Sequence, residues 1–551
     1  MTGVLDRPAA PGRLRRLGAG LRALRGWRAD LAAAGLGALS AAALPPSHLI
    51  PVLLLAVPGL LALLDGTRGP AGAARRGFWF GFGHHVVGLY WITEAILLES
   101  ARYWWLVPLA VPALSALLAL FIAAACAVAR LAPAGWRRVP LLAGAWTLAD
   151  LARQFIGTGF PWNPWGSVWA VPGPVGDAML QPAAWIGTPG LTLATVLLAG
   201  SGALGRRGAV AAAAALAVWA GVGWLRLRAP EPPAPDLRVV LVQGNVPQGF
   251  KWDLDRAMAS FRKHLDLAAE GVARAGPGPV AVVWPETASP FLLQSDPAAR
   301  EYVARAAGPA VASLVGSLTF TAGAPSAEPG NLPLNSLVAV LPDAAVGAIY
   351  SKWHLVPFGE YPPGWVPFAI QVVPGRFGFG RGPATLRVPG VPPVGPLICY
   401  ETIFPAQAVD GSDRPAWMVN ITNDAWFGDS TGPRQHLAAA RMRAVEEGLP
   451  LLRAANTGIS AGFDSRGREL GRLGLGDAGA LVLALPGARP PTPFSRWGLV
   501  VPGGLALACA GVGLAPRRGR RRESHQTTAL FNLLDGSRRD VARVDNFGLW
   551  R

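Results

Sequence analysis

Two rhythms of hydrophobic and polar positions divide this chain. Up to about residue 228 and again near the C-terminus, long apolar stretches are separated by short loops that carry arginine. From 229 to 490, short apolar runs alternate with polar, helix-forming pieces. A helix needs ~20 apolar residues to cross a bilayer. The long stretches run 31–44, 48–64, 78–98, 103–131, 139–155, 184–204, 209–227 and 497–515. The first two are short for a span. Pro45 and Pro46 lie between them, and a proline pair breaks a helix, so they are predicted to form a tight hairpin of two helices. A cleaved signal peptide at 31–44 fits less well, because further spans follow and the basic leader is long. The pattern gives seven helices over 31–228 and an eighth at 497–515, flanked by basic tails at 1–30 and 516–551.

The middle region opens on a proline-rich linker, 230–235. Strands are expected at 237–243, 280–284, 310–317, 336–341, 394–399, 417–422, 450–454 and 480–485. Helices are expected at 253–273, 296–307 and 434–447. Near-continuous apolar strands with helices between them point to sheets covered by helices, an α/β architecture.

Charge orients the spans. The N-terminal tail, Arg68, Arg75 and Arg76, then Arg130, Arg137 and Arg138, then Arg206 and Arg207, and finally 517–522 all fall on one side of an eight-span count. Loops 45–47, 99–102 and 156–183 are poor in positive charge. Arginine in that pattern places both termini in the cytoplasm and 229–490 outside it. Arg226 and Arg228 are the exceptions, beside a large translocated domain where the rule is weak.

Across 551 residues, 51% are apolar and 15% charged, against ~25% charged in an average soluble protein. The formal charge of +17 does not signal nucleic-acid binding, because most of it is arginine between apolar stretches or in the tails. Of three cysteines, Cys126 and Cys509 lie in apolar stretches, so no disulfide framework is expected. Cys399 lies in the middle region, where an apolar run ends in a cysteine, an aromatic residue and a carboxylate.

That run is one of three strings that deliver a reactive side chain at or after a strand end: AVVWPE (281–286), YSKWHLVPFGEY (350–361) and PLICYE (396–401). They supply a carboxylate, Glu286, an ammonium, Lys352, and a thiol, Cys399. A carboxylate can take and return the thiol proton, and an ammonium can favour the thiolate and stabilise an oxyanion. Taken singly, each residue has a plainer reading: a core cysteine, a helix-start acid, a solvated lysine. Lys352 is one of only three lysines. His354 and His436 have no partners at metal-ligand spacing, and core or loop positions are expected for both. The polar segment 157–163 either touches substrate or is a re-entrant turn.

These strings, with VQGNVPQ (242–248) followed by Lys251 and Trp252, WPETA (284–288), KWHLVPFGEY (352–361), GPLICYE (395–401), NITNDAWFG (420–428) and RAANTGIS (453–460), resemble the carbon–nitrogen hydrolase (nitrilase) superfamily. Within it, the chain resembles the bacterial apolipoprotein N-acyltransferase family over nearly its whole length. The resemblance implies a polytopic helical membrane bundle of about eight spans carrying an extracytoplasmic nitrilase-like αββα sandwich at 229–490, in the bacterial cytoplasmic (inner) membrane. It implies a Glu286–Lys352–Cys399 triad with Glu360, Tyr400 and Glu401 in support. Glu360 either holds Lys352 charged or helps as an acid/base, and a structural ion pair to Lys352 is the plainer role for Glu360 and Glu401. The Tyr400 N–H is an oxyanion donor. Trp252, Asn335 and Trp426 map near the substrate, although the tryptophans could equally pack a core.

The implied reaction has two halves. Cys399 takes an acyl chain from a phospholipid as a thioester, then passes it to the N-terminal amine of a diacylated apolipoprotein. The expected partners are those two substrates and the bilayer, with no cofactor, metal or nucleic acid, and a monomer. The alternative is a membrane-tethered nitrilase-type amidase that hydrolyses a small amide with the same triad.

Overall fold

Strands that read as unbroken apolar runs are buried on both faces. In the computed structural model, β1 (Arg238–Gln243) sends Val239 and Leu241 to one side and Val240 and Val242 to the other, and all four are buried. Side chains alternate along a strand. The first pair joins a core with Val283, Ile398, Val419, Ile421 and Leu452. The second pair packs with Phe261, Ala268, Val272 and Val303 of helices Leu254–Ala275 and Pro297–Ala307. The described residues are 13–98, 103–247, 254–322, 330–364 and 376–515. The expected tail 516–551, loop 99–102 and the start of the N-terminal tail therefore fall largely or wholly outside them. The chain divides into compact units Met1–Gly513 and Leu514–Arg551, and the strands, cavity and site all belong to the first.

The remaining strands are β2 (Val280–Val283), β3 (Ala312–Phe320), β4 (Pro333–Val340), β5 (Val346–Ser351), β6 (Leu386–Val388), β7 (Val391–Ile398), β8 (Trp417–Thr422), β9 (Leu451–Ala455), β10 (Ser460–Phe463), β11 (Glu469–Leu473) and β12 (Gly479–Ala484). They form two six-stranded sheets, ordered β12-β1-β2-β3-β4-β5 and β11-β10-β9-β8-β7-β6. β1, β2 and β3 run parallel, as do β7, β8 and β9; the flanking pairs are antiparallel. The outer face of the second sheet, through Leu397, Met418 and Leu451, packs on Leu437, Ala440 and Ala444 of helix Gly432–Glu447. Two helices, two sheets and a helix make the nitrilase-like αββα sandwich. Arg238 pairs with Ala484, and the Leu485 N–H bonds the Leu237 carbonyl at 2.9 Å, so the chain enters and leaves the sandwich side by side.

Eight of the expected strands are present. β5, β6, β10 and β11 are additional, and glycine, a very short run or charged alternation hid them from the pattern. Helix Pro297–Ala307 starts where its sequence signals it: Asp296 caps the Ala299 N–H at 3.0 Å and proline takes the first turn.

A helix lies in each expected apolar stretch: Gly26–Ala41, Leu53–Asp65, Pro70–Gly88, Val107–Ala129, Arg138–Arg153, Ala183–Ser201, Gly205–Arg228 and Val500–Leu514. Among the described residues, only Trp104–Ala129 and the joined Ala183–Arg228 segment qualify by length and composition to cross a membrane, with mean hydropathies of 2.4 and 1.8; Ile50–Asp65 and Val500–Leu514 are apolar but shorter. The stretch expected at 78–98 is shifted. Its helix starts at Pro70, which favours a first turn, and ends at Gly88, with a short helix Ile92–Leu97 beyond. Helices Gly26–Ala41 and Pro70–Gly88 cross in close contact. A Cβ on Gly37 would lie 1.9 Å from the Phe80 carbonyl oxygen, and one on Gly83 2.0 Å from that of Ala34. Small residues at a crossing permit that approach.

Candidate active site

Three strand ends converge. β2 runs out at Val283, and Trp284 and Pro285 lead to Glu286. β5 ends at Ser351, one residue before Lys352, whose N–H is fixed to the Asn335 carbonyl at 2.8 Å. β7 ends at Ile398, and Cys399 follows with φ 49. That left-handed conformation is uncommon outside glycine and stores strain. It turns the chain out of the strand into a one-turn helix, Cys399–Ile403.

The charges are paired at short range. Lys352 Nζ lies 3.3 Å from Glu286 Oε1 and 2.9 Å from Glu360 Oε2. Asn335 donates its amide to Glu286 Oε1 at 2.6 Å and to Glu360 Oε1 at 2.9 Å. Glu286 Oε2 accepts the Asn423 N–H at 2.9 Å, and Glu360 Oε2 accepts that of Val356 at 2.8 Å. Burial works against the Lys352 ammonium, but Glu360 and Glu286 outweigh it and hold its pKa well above the lysine range. Burial, reinforced by Glu286, pushes the Cys399 thiol well above the thiol range, with Lys352 opposing. The resting sulfur is therefore a thiol, and its proton has to leave as the sulfur attacks. A carboxylate beside it is the group that can take that proton.

Glu401 makes no ion pair with Lys352. Its two oxygens accept the Ile398 N–H at 2.7 Å, the Trp353 N–H at 2.8 Å and the Tyr350 hydroxyl at 3.0 Å, lashing the turn after β7 to the end of β5. Burial raises its pKa to about 7 against those donors. Glu360, in contrast, does pair with Lys352. Tyr400 donates its hydroxyl to the Gly159 carbonyl at 2.8 Å, in the polar segment 157–163 between helices. Trp426 packs against the small cluster of Leu355 and Phe377. Trp252 lies outside the described residues.

A cavity of about 1670 Å³ holds these groups at one end. Glu286, Asn335, Lys352, Glu360, Cys399, Tyr400 and Trp426 line it. Its other wall is helix Val107–Ala129, through Leu109, Leu117 and Leu120, each more than half exposed. The cavity thus joins a charged corner to an apolar flank. His436 also lines it, with Nε2 3.0 Å from the Cys399 carbonyl. Sequence reasoning set this residue aside; its signal was its place in the first turns of the helix that follows NITNDAWFG.

Two family models match the chain: the apolipoprotein N-acyltransferase N-terminal domain over 36–201 and carbon–nitrogen hydrolase over 238–486. Curated relatives called apolipoprotein N-acyltransferase match along most of both chains. One from Rhodopseudomonas palustris is 39% identical over 88% of this chain and 95% of its own. One from Allorhizobium ampelinum is 40% identical over 85% and 91%. The chain belongs to the apolipoprotein N-acyltransferase family. Among solved structures, Saccharomyces cerevisiae Nit3 of the nitrilase superfamily aligns over 52% of this chain and 98% of its own, with a TM-score of 0.33 and 17% identity. Both parts of the apolipoprotein N-acyltransferase pattern meet in the cavity. The N-terminal model covers Leu109, Leu117 and Trp162, and the hydrolase model covers Glu286, Lys352 and Cys399.

Proposed function

We propose that this chain transfers a fatty acyl chain from a membrane phospholipid to the N-terminal amine of the diacylated cysteine of apolipoproteins, through a thioester on Cys399. In the first half, Glu286 takes the thiol proton as sulfur attacks the ester carbonyl. Lys352 and the Tyr400 N–H face the oxyanion, and Glu286 returns the proton to the departing lysophospholipid alkoxide. In the second half, the lipoprotein amine attacks the thioester, Glu286 accepts the amine proton, and the sulfur leaves and regains a proton. Glu360 keeps Lys352 charged, Glu401 fixes the turn that carries Cys399, and Asn335 keeps the two carboxylates apart. Trp252 and Trp426 are proposed to wall the substrate.

The observation that carries this reading is the single cavity that runs from the Cys399 corner to the exposed leucines of helix Val107–Ala129. Extracting an acyl chain into water costs ~0.8 kcal/mol per CH₂; a chain entering along that flank stays among apolar groups. A small-amide hydrolase has no use for such a flank. Helix Gly205–Arg228 exposes Val210, Val218 and Leu225 on its surface, as a lipid-facing helix does. We extend the proposal to eight spans, both termini in the cytoplasm, residues 229–490 on the extracytoplasmic face of the inner membrane, and action as a monomer.

The test is a single turnover with phospholipid alone. Stoichiometric lysophospholipid and one acyl adduct on Cys399, read by intact mass, support the transferase. Continuous release of fatty acid at the full catalytic rate sinks it in favour of the hydrolase.

A further inference from the structure

The left-handed backbone at Cys399 has to be held against its own preference. Two donors reach its carbonyl: Thr402 Oγ1 at 3.1 Å and His436 Nε2 at 3.0 Å. A carbonyl only accepts, so the bond to His436 requires the proton on Nε2. The other ring nitrogen faces Asp424 Oδ1 at 2.9 Å and Arg453 Nη2 at 3.2 Å. Asp424 and Arg453 are themselves paired at 2.6 Å, and all three side chains are fully buried. Thr422 donates to the same Asp424 oxygen at 3.0 Å. The backbone of Cys399 is thus tied to one buried cluster. That cluster also touches the segment that follows helix Arg138–Arg153. The Trp162 ring lies over His436 with centroids 5.6 Å apart, and its indole N–H donates to Gln435 Oε1 at 2.9 Å.

We propose that His436 is a positioning residue for the nucleophile. Its Nε2–H pins the Cys399 carbonyl, which keeps the residue in the strained turn that aims the sulfur at Glu286 and Lys352 and leaves the following N–H for the oxyanion. Asp424 and Arg453 orient the ring. The inference rests on Cys399 being the acyl-carrying nucleophile.

The experiment compares H436Q with H436N in the full-length protein, by the rate of acyl-enzyme formation across phospholipid concentrations, with melting temperatures alongside. The amide of glutamine reaches the place of Nε2 and can donate to the carbonyl, whereas that of asparagine reaches only the place of Nδ1. H436Q is expected within about 10-fold of wild type and H436N about 100-fold slower, with unchanged half-saturation, because a small misplacement of a reacting atom costs that much. Folded variants that are equally fast or equally slow overturn the proposal, since packing alone does not separate them. If H436N does not fold, H436Q decides alone: a near-wild-type rate supports the role, and a 100-fold loss in folded protein overturns it. Absence of an adduct on wild-type Cys399 would instead remove the acyl-enzyme reading itself.

Discussion

The Lys352 ammonium lies 3.3 Å from Glu286 Oε1 while only 1% of its side chain is exposed. A carboxylate and an ammonium thus share one buried corner. The second carboxylate, Glu360, keeps the corner's charge from collapsing onto Glu286 alone. Such a corner tolerates little change of shape.

Lys352→Arg keeps the charge but replaces a compact ammonium by a planar fork too large for the space between Glu286 and Glu360. Acyl-enzyme formation is expected to fall about 100-fold or more, a loss of roughly 3 kcal/mol in transition-state stabilisation. A rate close to wild type would mean that only diffuse charge is needed there.

Gly316 tests the corner from behind. A Cβ at this position in β3 would lie 2.0 Å from the Pro285 carbonyl oxygen and 2.8 Å from the Glu286 Cα. Gly316→Ala therefore has to shift the Pro285–Thr287 backbone that carries Glu286 relative to β3. It should destabilise the protein by about 1–3 kcal/mol and lower the single-turnover rate about 100-fold. Rate measurements on folded G316A would decide it, and unaltered chemistry would show that Glu286 need not stay where it is.

Asn335 donates to both carboxylates, and aspartate cannot. Asn335→Asp sets a third acid against Glu286 and Glu360 around a single ammonium. Acyl-enzyme formation should drop about 100-fold as the carboxylates compete for protons and for Lys352. Full activity in N335D at neutral pH would demote the residue to packing.

Glu447 gives a pH test away from the site. Burial raises its pKa from the ordinary 4.5 to about 6, against a bond from the Ser495 hydroxyl at 2.6 Å. A raised acid holds its proton more tightly folded than unfolded. Stability therefore falls as pH rises from about 4.5 through about 6, by on the order of 2 kcal/mol, and stays lower above. Glu447→Gln should gain melting temperature over wild type at pH 7.5 and not at pH 4.5. A difference independent of pH would show that the carboxylate is not the strained group.

The sandwich was legible because its strands are buried on both faces: 417–422 reads as one apolar run and forms β8 over those same residues. The convergence of Glu286, Lys352 and Cys399 on one cavity was legible because each sits at or just past a strand end inside a long string. Helix Gly432–Glu447 was legible as a helix but not in its role. Its polar residues look like a solvated face, yet nearly all are buried. Each finds its partner far away in sequence: Gln435 at Trp162, Arg441 at Asp177, Glu446 at Thr188. No local pattern carries that information. The same holds for Glu401, whose spacing from Cys399 suggests chemistry while its hydrogen bonds are those of a brace.

The pairing of Arg238 with Ala484 places the first and last strands of the sandwich next to each other. Topologically, everything from Leu237 to Leu485 is an insert, with its two ends one strand spacing apart, ~4.8 Å. Inserts of that kind leave the host chain's path unchanged. The sandwich therefore hangs between helices Gly205–Arg228 and Pro493–Trp497 on one adjacent pair of chain crossings, and its attachment to the helices is completed by buried side-chain bonds such as Thr188–Glu446 and Arg441–Asp177.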